Sequence, residues 1–175
     1  SMDYFHRYTT DLLMNVHVPA QTGFNTKLAN VGEVKNTGFE FLINSRNHTG
    51  DFQWYTSLNF TVLDNEVMDL GPVDAIIGGG VQFAQNIAIT KPGEALDSYY
   101  GWEIHGVWQE DDDFSAAPAG VQPGDWKYKD VDGDTVITAD DRVVLGNSIP
   151  DFTWGLTNTF AYKGFDLTFY IQGIH

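Results

Sequence analysis

The clearest pattern in the chain runs from Asp51 to Asp64. Phe52, Trp54, Thr56, Leu58, Phe60 and Val62 share one parity, and Gln53, Tyr55, Ser57, Asn59 and Thr61 share the other. Successive side chains leave a pleated backbone on opposite sides, so this period of two predicts a strand with one oily and one wet face. Gly38 to Asn47 repeats it, with Phe39, Phe41 and Ile43 set against Glu40, Asn44 and Arg46 and only Leu42 out of phase. Between the two stretches, Asn47-His48-Thr49-Gly50-Asp51 supplies the Asn, Gly and Asp of a tight hairpin. Near the C-terminus, Phe152, Trp154, Leu156, Phe160 and Tyr162 alternate with Thr153, Gly155, Thr157, Thr159 and Ala161, and Asn158 is the polar intruder on the oily side. A Lys163-Gly164 turn leads into Phe165, Leu167, Phe169 and Ile171, alternating with Asp166, Thr168, Tyr170 and Gln172. A weaker stripe from Met2 to Asp11 sets Tyr4, His6 and Tyr8 against Phe5, Arg7 and Thr9. These five stretches run to about 8–12 residues, the length a tilted strand needs to cross a bilayer.

The connections alternate in length. A long segment, Leu12 to Asn36, precedes the short turn at Asn47 to Asp51; a very long one, Asn65 to Pro150, precedes the short turn at Lys163-Gly164. Short turns on one side and long loops on the other is the topology of outer-membrane barrels. A soluble sandwich rarely carries a connection of roughly 85 residues without structure of its own. The long connection has extended stretches of its own at Val81 to Thr90 and Ser98 to Gln109, so it reads as a folded insertion. The expected organisation is barrel strands over 1–64 with one long and one short connection, an extracellular loop insertion over 65–150, and a truncated barrel hairpin over 151–175. The expected fold is all-β, with antiparallel strands from a transmembrane β-barrel and a large folded extracellular loop. Periodicity alone leaves one alternative, a soluble all-β domain whose oily stripes pack on each other.

Composition agrees with a sheet. The chain holds 12 Phe, 8 Tyr, 5 Trp and 18 Gly, residues that suit strands and turns better than helices. A formal charge of −15 repels a polyphosphate, so no nucleic-acid partner is expected. The absence of cysteine excludes thiolate chemistry. No apolar run reaches the roughly 18 residues of a spanning helix, which leaves spanning strands open. No basic region followed by an apolar stretch opens the chain, and Ser1 before Met2 suggests a piece cut from something longer.

A series of phrases resembles the SusC/RagA family of TonB-linked outer-membrane receptors. Asn30 to Glu40 reads NVGEVKNTGFE, and Phe52-Gln53-Trp54, Asn59-Phe60 and Asn65-Glu66-Val67 follow it. Then come Tyr100-Gly101-Trp102, Gly106-Val107-Trp108-Gln109 and, from Pro123 to Asp130, PGDWKYKD. Gly146 to Pro150 (GNSIP) and Tyr162 to Leu167 (YKGFDL) complete the set. Their order and spacing span nearly the whole chain. The resemblance implies a location in the cell outer membrane, a large barrel with a plug, a TonB-contacting segment, and a SusD-like lipoprotein over the barrel mouth. It covers part of the barrel toward its C-terminal half, without plug, TonB box or final strands. Five strands do not close a barrel, which needs about eight or more.

One local motif points to a metal. In Asp130-Val131-Asp132-Gly133-Asp134-Thr135-Val136-Ile137-Thr138-Ala139-Asp140-Asp141, carboxylates stand at positions 1, 3, 5 and 12 of a loop of the kind that wraps calcium in oxygen ligands. The candidate ligands are Asp130, Asp132, Asp134 and Asp141, the carbonyl of Val136, and Thr138 through a water. Thr135 replaces the glycine expected at the sharp turn, and Asp141 replaces the longer Glu. The calcium expected here is structural; the bland alternative is an acidic surface turn. The run Glu110-Asp111-Asp112-Asp113 reads as a solvated face. Tyr100, Trp102, Trp108, Trp126 and Tyr128 are candidate ligand-stacking rings, against the plainer reading that they form the core of the loop.

No nucleophile elbow, phosphate-binding glycine loop or spaced histidine pair occurs, so no enzyme is expected. The favoured function is part of a TonB-dependent transporter that binds and imports oligosaccharides or peptides with a SusD-like lipoprotein. The alternative is a soluble calcium-braced β module that binds carbohydrate at the cell surface, and a glycosidase ranks third.

Overall fold

The computed structural model of the chain describes residues 1–18, 21, 23–24 and 26–175. It is all-β and antiparallel, in two compact units. The first unit comprises Ser1–Asp74, Lys91–Leu96 and Ile149–His175. Its strands are β1 (Met2–His17), β2 (Thr26–His48), β3 (Phe52–Asp69), β10 (Phe152–Tyr162) and β11 (Phe165–Ile174). They form one sheet in the order β1-β2-β3-β10-β11, and it does not close into a barrel.

Register decides what this sheet presents. Across β3 and β10, Trp54 faces Phe160, Leu58 faces Leu156, Phe60 faces Trp154 and Val62 faces Phe152. β2 continues the same face with Phe41 opposite Phe60 and Ile43 opposite Leu58. β11 extends it with Ile171 opposite Leu156 and Leu167 opposite Phe160. A slip of one residue would turn any of these sets to the wrong side. Among the described residues of this unit no second layer covers the apolar face, and Phe165 is 81% and Leu167 63% exposed. Within this unit the apolar stripes therefore do not pack on each other as the sandwich alternative requires. From Phe52 to Val62 the face rises roughly 34 Å along the strand, or about 26 Å along a tilted barrel axis, matching the apolar band of an outer-membrane barrel.

Two glycines show how tightly the wall is dressed. The ring of Phe5 lies over Gly38 on the polar face, and the indole of Trp154 lies over Gly173 on the apolar face, where any added Cβ would collide with the ring. Aromatic cover of a strand glycine restores the packing that its missing side chain forfeits.

The strands outrun the alternation that predicted them. β1 reaches His17, β2 starts at Thr26 and β3 continues to Asp69, so much of the expected 12–36 connection is hydrogen-bonded ladder. Beyond the apolar band both faces carry polar groups, so pairing persists while the period-two signal fades. Asn65 Nδ2 donates to Asn36 Oδ1 at 2.8 Å, and Lys35 pairs with Glu66 across the same ladder. At this end sit the fully buried Val67 and Leu70. Segment 91–96 docks on β3 there, with Gly93 N donating to Val67 O at 2.9 Å and Val67 N to Glu94 O at 2.8 Å.

The second unit comprises Ala75–Thr90 and Asp97–Ser148. β4 (Ile76–Val81), β5 (Ala84–Thr90), β6 (Ser98–Trp102) and β9 (Arg142–Gly146) form a sheet in that order. β7 (Ile104–Val107) pairs with β8 (Trp126–Tyr128). These strands and the turns between them carry the candidate site.

Candidate functional site

β8 leads directly into the aspartate loop, which winds on its own backbone donors. Asp130 accepts the N–H groups of Gly133 at 2.7 Å and Thr135 at 2.9 Å. Asp132 accepts Asp134 N at 3.1 Å, and Asp134 accepts Val136 N at 2.7 Å. Side chains of Asp bonded to the backbone a few residues on impose a turn at each step. The result brings carboxylate oxygens of Asp130, Asp132 and Asp134 within 4.8 Å of one another. Thr135 makes the sharp turn despite being β-branched, with φ at +69°. Its side chain sits in a left-handed backbone region that normally favours glycine.

Asp141 plays a different part. It is fully buried and closes the loop, accepting Thr138 N at 2.7 Å and Val131 N at 2.8 Å. These backbone bonds, with that to Thr138 foremost, hold its carboxyl below the usual carboxylate range. Thr138 is the N-cap of a 3-10 turn over Ala139–Asp141, and its hydroxyl accepts Asp140 N at 3.1 Å. The loop thus gathers three carboxylates, with the capped, buried fourth in side-chain contact with Asp130. At Asp132 the Asp134 N–H bond lowers the pKa, but desolvation and the charges of Asp134, Asp141 and Asp130 outweigh it and hold the carboxyl above its ordinary value. An all-oxygen set with unrelieved mutual repulsion suits a hard divalent cation.

The same loop forms one side of a cavity of about 510 Å³. Trp102 of β6, Trp108 after β7, and Trp126 and Tyr128 of β8 line it, and Asp130, Thr135 and Ile137 of the loop complete that side. Trp102 is fixed by its indole N–H, which donates to Thr138 O at 2.6 Å. The Lys127 ammonium lies 4.3 Å from the centre of the Trp108 ring and 3.3 Å from Asp112. Phe114 packs on Trp108 with ring centres 5.0 Å apart.

The structure brings four of the five sequence-derived rings together and leaves Tyr100 out. Tyr100 lies instead beneath the Arg142 guanidinium, 4.3 Å from ring centre to Cζ, and its carbonyl accepts Arg142 Nη2 at 2.8 Å. Lys127, Pro118 and Val121 line the cavity without having stood out in the sequence, because nothing in a lone Lys, Pro or Val signals what the fold sets beside it. In the acidic run, Asp112 accepts Gln109 N at 2.9 Å and Asp113 accepts Ser115 N at 2.9 Å, and those bonds hold both carboxyls below the usual range. Two of its four acids are thus turn-forming, which accounts for them without a ligand.

No family model matches the chain. It is 38% identical over 182 residues to TonB-dependent receptor P26 of Formosa agariphila, covering 98% of this chain and 18% of that protein. TonB-dependent receptor P3 of the same organism is 36% identical over 179 residues, with the same coverage. TonB-dependent receptor SusC of Bacteroides thetaiotaomicron is 29% identical over 180 residues, covering 98% of this chain and 17% of SusC. Among solved structures, the RagAB peptide transporter matches at a TM-score of 0.73 and 22% identity over 98% of this chain and 18% of that one. The "open-open" state of the RagAB peptide importer matches at 0.74 and 23% over 99% of this chain and 18% of that one. The chain therefore spans under a fifth of the length of these relatives, and the structural matches, at such identity, speak to the fold alone.

Proposed function

The chain belongs to the SusC/RagA family of TonB-dependent receptors, and from that premise we propose that it supplies a stretch of barrel wall and one folded outer loop to a nutrient importer of the outer membrane. The observation that carries this reading is the uncovered apolar face, continuous through register over β2, β3, β10 and β11. A face of this height has no counterpart in a water-facing sheet, whereas a lipid-facing wall requires it. The opposite face, with Gln53, Ser57, Asn59, Thr157 and Thr159, suits a wet lumen. The cargo is an oligosaccharide or a peptide, taken up with a SusD-like surface lipoprotein and driven by a TonB complex that engages other parts of the receptor. No catalytic step enters, since binding and gated passage suffice.

The aspartate loop is the place for a structural Ca²⁺. Asp130, Asp132 and Asp134 offer carboxylate oxygens, Val136 and Thr138 follow in the ligand order, and Asp141, bonded to Asp130, closes the set at position 12. Calcium there neutralises the cluster and stiffens one side of the aromatic cavity.

The importer reading is tested by fractionating cells that express the whole receptor. It is expected in the outer membrane and monodisperse only in detergent; a monodisperse product in plain buffer sinks the reading. For calcium, the purified receptor is titrated calorimetrically and melted with and without chelator. Absence of both binding heat and a melting shift removes the metal.

A further inference from the structure

The aspartate loop is gripped from outside by two consecutive residues. Its last residue, Asp141, runs directly into Arg142, and Arg142 stands opposite Trp102 across β6 and β9. The Trp102 indole reaches into the loop and donates to Thr138 O at 2.6 Å. At the other end Lys129, the residue before Asp130, donates its N–H to Glu103 O at 2.9 Å, and its ammonium lies 2.8 Å from the Glu103 carboxylate. Trp102 ends β6 and Glu103 follows it, so a single dipeptide holds both ends of the twelve-residue loop.

Trp102 is itself held. Arg142 Cζ lies 4.3 Å from the centre of the Tyr100 ring and 5.2 Å from that of Trp102, two rings that leave β6 on the same side. Arg142 Nη2 donates to Tyr100 O at 2.8 Å and to Asn86 O of β5. Its Nε is buried with no hydrogen-bond partner among the described residues, and contact with two ring faces offsets that unpaired donor. Thr138 joins this grip to the bonds inside the loop. Its N–H donates to Asp141 and its carbonyl accepts the indole, so one backbone group is committed inside the loop and the other to Trp102.

We propose that Trp102 is a positioning residue of the cation site: its indole N–H keeps the loop in the form that takes the cation, and the bound cation in turn fixes Trp102 in the cavity wall. The clustered carboxylates of Asp130, Asp132 and Asp134 repel one another and would spread an unrestrained loop. Holding both ends removes part of the ordering cost that the cation would otherwise have to offset. Linkage makes the effect mutual, so whatever Trp102 adds to cation affinity the cation adds to the hold on Trp102. Trp102 lines the aromatic cavity, and cation occupancy is thereby transmitted to that wall. The plainer role, a ring packed in the core of the second unit, needs the ring and not its N–H. Trp102→Phe separates the two. The inference rests on the calcium reading for the cation alone; the hold on the loop belongs to the chain without metal.

The test compares the full-length receptor, purified in detergent, with its Trp102→Phe and Arg142→Lys variants. Amide hydrogen exchange is measured in chelator, and Ca²⁺ is then titrated calorimetrically while tryptophan emission is followed. In chelator, peptides covering 130–141 are expected to exchange about three- to ten-fold faster in Trp102→Phe, the effect of losing one hydrogen bond, with peptides from β3 and β10 unchanged. Arg142→Lys keeps the charge and loses the planar fork. It is expected to loosen the same peptides, and it carries the test if Trp102→Phe fails to fold. Ca²⁺ is expected to shift the emission of the wild type. Trp102→Phe should lose the greater part of that shift and bind Ca²⁺ about three- to ten-fold more weakly. Phe83→Ala, at a position 92% exposed between β4 and β5, should match the wild type throughout. Unchanged exchange over 130–141 in both variants overturns the proposal, and so does Ca²⁺ binding as tight in Trp102→Phe as in the wild type. If the wild type binds no Ca²⁺, the calcium reading falls, and the exchange result by itself decides for or against the hold of Trp102 on the loop.

Discussion

Asn158 Oδ1 accepts the indole N–H of Trp54 at 2.9 Å across the β3–β10 ladder, on the face that carries Leu58, Phe60 and Val62 of β3 and Leu156 and Phe160 of β10. The same oxygen accepts the Thr56 hydroxyl at 2.7 Å, and Thr56 in turn accepts Asn47 Nδ2 at 2.6 Å from the hairpin end. Asn158 is 7% exposed. An unpaired amide oxygen facing hydrocarbon would be costly, so the intruder in the stripe is tolerated because its Oδ1 is paired with neighbouring polar groups.

Asn158→Ala is therefore expected to destabilise the wall by about 1–2 kcal/mol, because Trp54 and Thr56 lose their acceptor. Denaturant unfolding of the reconstituted receptor, followed by Trp fluorescence, reads the change. An unchanged midpoint would show that the network contributes nothing.

The two faces of β3 should respond oppositely to charge. Leu58 stands mid-band on the apolar face and Ser57 on the polar one. Leu58→Arg is expected to cost about 2–4 kcal/mol in a bilayer, and Ser57→Arg far less. Folding yield into lipid vesicles provides the comparison, and equal losses would contradict the assignment of faces.

Thr135 holds a left-handed turn that costs a β-branched residue about 1–2 kcal/mol. Thr135→Gly removes that strain and gives back roughly 0.5–1 kcal/mol through unfolded-state entropy. A small net gain in melting temperature is expected, with calcium bound as tightly as before or better. A ten-fold loss of calcium affinity would mean that the threonine does something other than turn the chain.

Acid should loosen the loop through Asp141. Its folded pKa is depressed, so its bonds to Thr138 and Val131 contribute stability that is complete above the ordinary carboxylate range. That contribution is lost as pH falls through this range to the depressed value. Asp132 has the opposite sign, since protonation relieves its raised carboxyl, and it softens the effect slightly. Melts of the wild-type receptor and Asp141→Asn from pH 7 to pH 3, in chelator, should show a lower plateau and a shallower acid slope for the variant. Parallel curves would contradict the role given to Asp141.

The wall was legible in the residues because lipid and lumen impose a period of two that any strand must obey, and Phe52 to Val62 and Phe152 to Tyr162 display it directly. The strand ends were not, because past the apolar band the ladder from Lys35 to Glu66 is held by pairing between distant polar residues, which leaves no periodic trace. In the loop, the spacing of Asp130, Asp132 and Asp134 was enough to indicate that three carboxylates gather, since each turn is made locally by its own backbone bonds. Whether Trp102, Trp108, Trp126 and Tyr128 share one cavity while Tyr100 lies under Arg142 was decided only in three dimensions. Those rings come from two strands, β6 and β8, and the turn after β7, and their meeting depends on pairings such as β6 with β9 and β7 with β8. Local alternation and spacing are properties of neighbours in the chain; a cavity is a property of neighbours in space.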